Sequence, residues 1–311
     1  MSTIIDGSSK PARSLLDISP HRTIGGIHIN GLTPYPAEYE SYNEKHAILT
    51  LALCHDVLEI RSQPEKFNYL KASGKIGFHI PDIEVLTPNG SEFIEVKAIE
   101  NLLKPEVATK YGAIAKSIRR EGISYSFLTN IQIEVMPRFY SVRLLYRYLN
   151  ADLCVDAVNL AKMALSAGQI SIQDLALSTG LGLGEIYTLI ANRHLCFDWL
   201  QPLDSYSMIS LPNQPYQGLS FADIQRSTWV CGLLEELALG CEPTDQYIVA
   251  TAKNWRQADN LPGIWGMVGG YIPKKAMCDL KDIGFLRGPQ YRRAIAPGEV
   301  NKGRSGRRRP D

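Results

Sequence analysis

The chain has 311 residues, 45% of them hydrophobic, with 33 basic against 32 acidic side chains and a formal net charge of +1. That length exceeds one typical core and reads as two domains with extensions. The near-balanced charge excludes a protein that holds polyanions through its global field, so any nucleic-acid affinity has to come from local patches.

The first 23 residues read as a flexible arm. They begin Met1-Ser2-Thr3-Ile4-Ile5-Asp6, which lacks a basic-then-apolar leader pattern. No apolar run approaches the roughly 18 residues that span a membrane, so a cytoplasmic protein without membrane contact is expected. Over residues 37–53, Tyr39, Tyr42, Ile48, Leu49, Ala52 and Leu53 form an approximate helical stripe. Glu40 and Glu44 stand four apart and share a face of that helix, Glu44 being the candidate for a site carboxylate and Glu40 its reserve. Gln63-Pro64 reads as an architectural lead into a strand, since proline fits a strand start and carries out no proton chemistry.

Two alternating runs follow, residues 76–85 and 91–97, separated by Thr87-Pro88-Asn89-Gly90. Asn-Gly between alternating segments is the strongest short-range hairpin signal. Side chains alternate across a strand, so Glu95 and Lys97 point one way while Ile94 and Val96 point to the buried face. The hairpin brings Asp82, next to Pro81, near Glu95. Two carboxylates converging without a His or Cys cluster suit a hard, oxygen-seeking cation such as Mg²⁺, for which Mn²⁺ can substitute. A lysine one pleat along can orient or deprotonate an attacking water, or offset charge building up on a phosphoryl group. Glu95-Val96-Lys97 alone is also what an ordinary half-solvated strand looks like. Pro81-Asp82 at this distance, the Asn89-Gly90 turn and the acidic helix upstream favour a catalytic set of Glu44, Asp82, Glu95 and Lys97. Asp82, Glu95, the Val96 main-chain carbonyl and Glu44 are the expected metal donors.

Residues 105–121 carry Val107, Tyr111, Ile114, Ala115 and Ile118 at helical spacing, with Gly122 as a stop, and residues 124–128 read as a strand. Lys110, Lys116, Arg119 and Arg120 decorate that helix and read first as a solvated face, although a helix beside a nuclease site can also hold a phosphate backbone. A helix rich in Arg and Tyr over residues 137–149 leads to a second unit at 151–212. There, helices are expected over 152–166, from Ser171 with Asp174 as a capping partner, and over 183–192, with strands over 195–199 and 205–211. Together they suggest a winged helix-turn-helix whose third helix is the DNA reader if the unit reads DNA. That helix offers only Glu185, Thr188, Asn192 and Arg193, a poor basic complement, so docking to a partner protein stands level with DNA contact. Trp199 and Tyr187 read as core.

Residues 213–295 form an extension without a recognised role, with a helix expected over 221–239. Trp229, Trp255 and Trp265 are core or interface anchors, and Gly263-Ile264-Trp265-Gly266-Met267-Val268-Gly269-Gly270 fits neither a P-loop nor a dinucleotide fingerprint. Residues 296–311 read as a basic, disordered tail in which Arg304, Arg307, Arg308 and Arg309 bind DNA through counterion release. The six cysteines, Cys54, Cys154, Cys196, Cys231, Cys241 and Cys278, lack Cys-x-x-Cys spacing and read as reduced structural thiols.

Taken in order, Tyr39-Glu40-Ser41-Tyr42-Asn43-Glu44, Ser62-Gln63-Pro64, Pro81-Asp82 and Glu95-Val96-Lys97 resemble the TnsA family. These are end-cleaving endonuclease subunits of heteromeric cut-and-paste DNA transposons, within the PD-(D/E)xK nuclease superfamily. The likeness spans residues 24–210 by order of elements. It implies a restriction-endonuclease-like α/β fold over residues 24–150, a mixed sheet flanked by helices, followed by a winged-helix domain. It puts Glu44 at the family's helix glutamate, Asp82 at its metal-binding aspartate, Glu95 at a position that is Glu or Gln, and Lys97 at its lysine. It further implies Mg²⁺-dependent hydrolysis of the non-transferred strand of double-stranded DNA at transposon ends, in a bacterial cytoplasm. The implied partners are a TnsB-like transposase with an Asp-Asp-Glu site and a TnsC-like AAA+ ATPase regulator. Two other readings stay open: a stand-alone nuclease on the same core, of junction-resolvase or restriction type, and a catalytically silent DNA-binding assembly subunit.

Overall fold

The computed structural model describes residues 11–15, 24–71, 73–102, 104–212, 214 and 216–225. A short ribbon, β1 (Gly25–Ile27) against β2 (Ala37–Tyr39), precedes helix α1 (Tyr42–Ala52). The helix therefore starts later than its apolar stripe suggests. Ser41 is extended (φ −148°, ψ 160°) and its Oγ accepts the Glu44 N–H, while the Glu44 carboxylate accepts back from the Glu40 N–H at 2.6 Å and from the Ser41 hydroxyl at 2.8 Å. This reciprocal capping satisfies main-chain donors that the first turn cannot, and it leaves Ala37 and Tyr39 to a strand.

The nuclease-like core follows as β3 (Glu59–Ser62), β4 (Phe67–Leu70), β5 (Ile76–His79), β6 (Ile83–Thr87), β7 (Gly90–Lys97), α2 (Ile99–Leu102), α3 (Pro105–Arg120) and β8 (Ser124–Thr129). Its sheet runs β3-β6-β7-β8, antiparallel except for the parallel β7/β8 pair, so α3 serves as the crossover between parallel neighbours. Asn89-Gly90 closes the β6/β7 hairpin, Gly90 adopting the φ of +112° that a side chain would resist. The alternating run at 76–85 is not one strand. Pro81 has no N–H to donate, and the run divides there: Ile76–His79 pairs with β4 in a separate ribbon, whereas Ile83–Thr87 joins the sheet. Both faces of the sheet are covered. Ile60, Ile83, Val85, Ile94, Val96 and Leu128 pack with α1, and Phe93, Tyr125 and Phe127 pack with Tyr111, Ile114 and Ile118 of α3.

Helices α4 (Asn130–Ile133) and α5 (Arg138–Leu145) and a 3-10 turn at Tyr146–Tyr148 lead into a second unit. It comprises α6 (Val155–Ala164), β9 (Ile170–Ser171), α7 (Ile172–Thr179), α8 (Leu183–Ala191), β10 (Cys196–Phe197) and β11 (Met208–Ser210), its strands ordered β10-β11-β9. Ser171 caps α7 through Asp174 as expected, and Gly180 ends that helix in the left-handed region at φ +76°. Trp199 stacks against Phe197 and packs on the core. The last helix among the described residues, α9 (Phe221–Gln225), returns to the first unit: the His55 N–H donates to the Leu219 carbonyl at 2.7 Å, and the Gln225 side-chain amide donates to Glu92 at 2.6 Å.

Residues 11–15, expected within a flexible arm, are instead anchored: the Ala12 N–H donates to the Gln63 carbonyl at 2.8 Å, Arg13 pairs with Glu40, and Leu15 is fully buried. Helix 221–239 beyond Gln225, the glycine-rich stretch at 263–270 and the basic tail lie outside the described residues. Among the described residues no helix is long and apolar enough to cross a membrane, and Cys54, Cys154 and Cys196 are free thiols.

The polar side chains at α8 are engaged with the protein, Glu185 at the exposed start of the helix and Thr188 and Asn192 further along it. Thr188 bonds the Gly184 carbonyl, Asn192 bonds the Thr188 and Tyr148 carbonyls, and Glu185 accepts the Gly182 N–H. The Arg193 guanidinium reaches across to the first unit and donates to the Ala52 carbonyl at 2.7 Å and the Val57 carbonyl at 2.9 Å. Arg193 and Asn192, expected to touch DNA, are thus engaged with main-chain acceptors at the seam of the two units. Charge-assisted hydrogen bonds contribute about 1.5–3 kcal/mol each. Arg193→Ala should therefore lower stability by about 3 kcal/mol in urea titrations while leaving DNA affinity in anisotropy titrations unchanged; loss of affinity without loss of stability would reverse this assignment.

Candidate active site

The sequence positions the site by three devices. Strand parity puts Glu95 and Lys97 on the α3 face of β7, with Ile94 and Val96 in the opposite core. Pro81 ends the β5 run and leaves Asp82 just before β6, where its main-chain carbonyl accepts the Gln63 N–H at 3.0 Å. The Asp82 carboxylate then takes the place of a missing ladder partner: Oδ2 accepts the Val96 N–H at 2.9 Å.

The result is a convergence of oxygens on one cation. Lys97 Nζ lies 2.6 Å from Glu95 Oε1, 3.2 Å from Asp82 Oδ2 and 3.2 Å from the Val96 carbonyl. Glu95 is 1% exposed, and its other oxygen is held from the opposite side. With its proton on Nε2, His79 donates to Glu95 Oε2 at 2.8 Å, and the Tyr125 hydroxyl stands 3.4 Å from the same oxygen. Tyr111 packs edge-on to His79, with the Lys97 ammonium 5.6 Å from its ring centre.

The electrostatics separate the two carboxyls. Burial alone would raise Glu95, but the Lys97 charge and the hydrogen bond from His79 outweigh it and hold that carboxyl at about 2. Burial and the neighbouring Glu95 charge push Asp82 up to about 8 against the pull of Lys97. Burial opposes charge on Lys97 as well, yet the two carboxylates overcome it and keep the ammonium well above its ordinary range. Two titratable groups driven apart by their surroundings are a common mark of a functional site.

Asp82, Glu95, Lys97 and the Val96 carbonyl therefore come together as expected. Glu44 does not join them by contact. Its two oxygens serve the start of α1; burial raises its carboxyl, and it is linked to the cluster through space, to Asp82 and Lys97. His79 is the residue that sequence reasoning passed over. Its signal was its parity: in β5 it stands on the same face as the buried Gly77, an unusual place for an imidazole. Arg304, Arg307, Arg308 and Arg309 lie outside the described residues.

Among the described residues no three His, Cys, Asp or Glu side chains are grouped closely enough to hold a metal ion. The donor set around Lys97 Nζ nonetheless has the chemistry of a hard-cation site, two carboxylate oxygens and a carbonyl oxygen, and here it already surrounds a positive charge.

A mixed sheet covered by helices on both faces, with an acid pair and a lysine at the end of its central strands, defines the restriction-endonuclease-like class of α/β proteins. Within that class, residues 54–130 match the TnsA-like endonuclease N-terminal family, so the chain carries a TnsA-like endonuclease domain. The matched span contains Asp82, Glu95 and Lys97 and begins after Glu44. No curated protein matches the chain.

The raised Asp82 carboxyl fixes the sign of a pH effect. In the unfolded chain it ionises near 3.8, but in the folded chain near 8, so between those values ionisation penalises the folded state increasingly as pH rises. Asp82→Asn keeps the acceptor for Val96 and Lys97 and removes the penalty. Its melting temperature without divalent ions should exceed the parent's at pH 8, and the difference should vanish near pH 4. A variant that melts lower at pH 8 would contradict the assignment.

Proposed function

We propose that the chain hydrolyses phosphodiester linkages of double-stranded DNA at transposon ends, cutting the non-transferred strand. It does so as one subunit of a heteromeric transposase beside an Asp-Asp-Glu transposase and an AAA+ ATPase regulator. The observation that carries this reading is the triple contact of the Lys97 ammonium with Asp82, Glu95 and the Val96 carbonyl, inside the segment that matches a TnsA-like endonuclease. The partners and the strand preference rest on the resemblance of the motifs.

Asp82, Glu95 and the Val96 carbonyl would hold Mg²⁺, with Glu44 within electrostatic reach. When bound, the ion supplies Lewis-acid stabilisation of the phosphoryl oxygens and a more acidic water. Glu95 brings a permanent negative charge, since His79 and Lys97 keep it ionised. Asp82 has to lose a proton before it offers its full charge to a cation. Lys97, held as an ammonium, is suited to donating hydrogen bonds to oxygens of the phosphate under attack and not to taking a proton from water. In the reaction the water oxygen bonds to phosphorus and the bond from phosphorus to O3′ breaks, leaving 3′-hydroxyl and 5′-phosphate ends.

The second unit supports a winged helix-turn-helix reading through its order of three helices and three short strands. Because Thr188, Asn192 and Arg193 are committed to main-chain carbonyls and the exposed Glu185 is acidic, docking of a partner protein is the better supported role. Val155 and Met163 of α6 and Leu177 of α7 are each more than 70% exposed, apolar side chains that a partner could cover.

With the transposase partner and end-containing DNA, Asp82→Ala and Lys97→Ala should each lower cleavage by about 100-fold or more, the usual cost of losing a main electrostatic stabiliser. Undiminished cutting would remove these residues from the site. Efficient cutting by the purified chain alone would favour the resolvase or restriction reading. His79→Ala, which releases one Glu95 oxygen, should lower the rate about tenfold and raise the Mg²⁺ concentration for half-maximal activity. His79→Gln, which keeps a donor, should recover part of the loss; equal loss in both would point to packing alone.

A further inference from the structure

The β4/β5 ribbon has a feature the nuclease reading does not use. Its inner face, Phe67 and Tyr69 with Gly77 and His79 opposite them, packs on α3 and Phe93. Its outer face pairs Asn68 with Phe78 and Leu70 with Ile76, and Leu70, Ile76 and Phe78 are 62%, 76% and 63% exposed. Exposed strand faces are ordinarily polar, and three large apolar side chains side by side in water mark a contact surface. Positive charge frames this surface. Lys71 and Lys75 are exposed and flank the turn, and Lys66 places its ammonium 4.0 Å from the centre of the Phe78 ring. Glu65 is the acidic residue beside them. On its inner side the ribbon ends in His79, which bonds Glu95, and then passes through Pro81 into Asp82.

We infer that the outer face of the β4/β5 ribbon is a DNA-contact surface that lies in the major groove of the duplex beside the linkage being cut. This rests on the nuclease reading for its substrate. The ribbon is two strands wide, which the major groove admits, and apolar side chains there meet thymine methyls while flanking lysines meet phosphates. Reach agrees: His79 lies four residue steps beyond Lys75, about 14 Å along a strand, which matches about four base pairs at about 3.4 Å each. Charge favours DNA over a second copy of the chain as the occupant, because two ribbons laid face to face would bring their lysines together.

The test uses the full chain with a photo-reactive benzoyl-phenylalanine at position 76 and a double-stranded oligonucleotide. Cross-linking to DNA is expected; cross-links only between protein chains would overturn the inference in favour of a dimer surface. In parallel, Lys71→Ala/Lys75→Ala in the full chain should weaken DNA binding about tenfold at low salt and reduce the slope of log affinity against log salt by about 2. An unchanged slope at an unchanged melting temperature would also overturn it. Asp82→Asn separates the two claims. If it still cross-links through position 76 but no longer cuts, both hold; if it cross-links and cuts as well as the parent, the catalytic assignment fails while the ribbon surface stands.

Discussion

One ammonium group shared by two carboxylates and a carbonyl organises the site. Two carboxylates within reach of the same nitrogen repel each other, and in a half-dry setting that repulsion is poorly screened. The tension is resolved by unequal partners. Glu95 has Lys97 at 2.6 Å, His79 at 2.8 Å and Tyr125 nearby, and it keeps the negative charge. Asp82 has a main-chain N–H and the longer contact to Lys97, and it holds a proton to about 8. Around neutral pH the trio is therefore electrically balanced. Loss of the Asp82 proton leaves one negative charge uncompensated, and withdrawal of the lysine leaves two. That is the charge a divalent ion requires, and it arises from the same side chains that are stable without the ion. The lysine both balances the acids and, on its flexible stem, is the group able to give way.

The fold makes this arrangement tolerable. Strand β7 lies between β6 and β8 with helices on both faces, Glu95 near its end is dry, and a lone carboxylate buried there would be expensive. The cost is offset because neighbouring elements each bring a donor: β5 brings His79, β8 brings Tyr125, and β7 itself brings Lys97 two residues on. The Asp82 position depends on Pro81 in a similar way. By interrupting one alternating run, Pro81 separates the ribbon that carries His79 from the strand that follows Asp82, so both reach Glu95 from different directions. A continuous strand from Ile76 to Val85 would have spread these groups along a line.

Much of this was legible in the sequence because the relevant interactions are local. Asn89-Gly90 specifies a hairpin, Pro105 and Gly122 bracket α3, and period-two alternation places Glu95 with Lys97. The late start of α1 was legible too, since Ser41 and Glu44 have the spacing of a capping box, but the apolar stripe through Tyr39 obscured it. What was not legible depends on distant parts of the chain. Nothing near Arg193 says whether its guanidinium faces a phosphate or the carbonyls of Ala52 and Val57, which lie more than 130 residues earlier. The same limit applied to Glu44, whose acidity suggested a ligand although its oxygens are engaged at its own helix start. His79 belongs to the same class: its partner Glu95 belongs to another strand.

These internal commitments bear on where a nucleic acid could lie. Within the second unit, each of the four polar residues of the α8 region considered for DNA contact is hydrogen-bonded to the protein, and the basic one is partly buried at the seam between units. A surface that reads a polyanion needs donors and cations free to face it. Among the described residues the β4/β5 ribbon has them, together with apolar side chains that burial has not claimed. Its inner face is fastened to α3 by aromatic packing, so its outward display belongs to a packed pair of strands and not to a loop. A packed basic ribbon that ends in His79 would fix the distance between a groove laid on it and the acid pair. In a protein with near-zero net charge, that short connection would be a more economical source of cutting position than a general attraction for DNA.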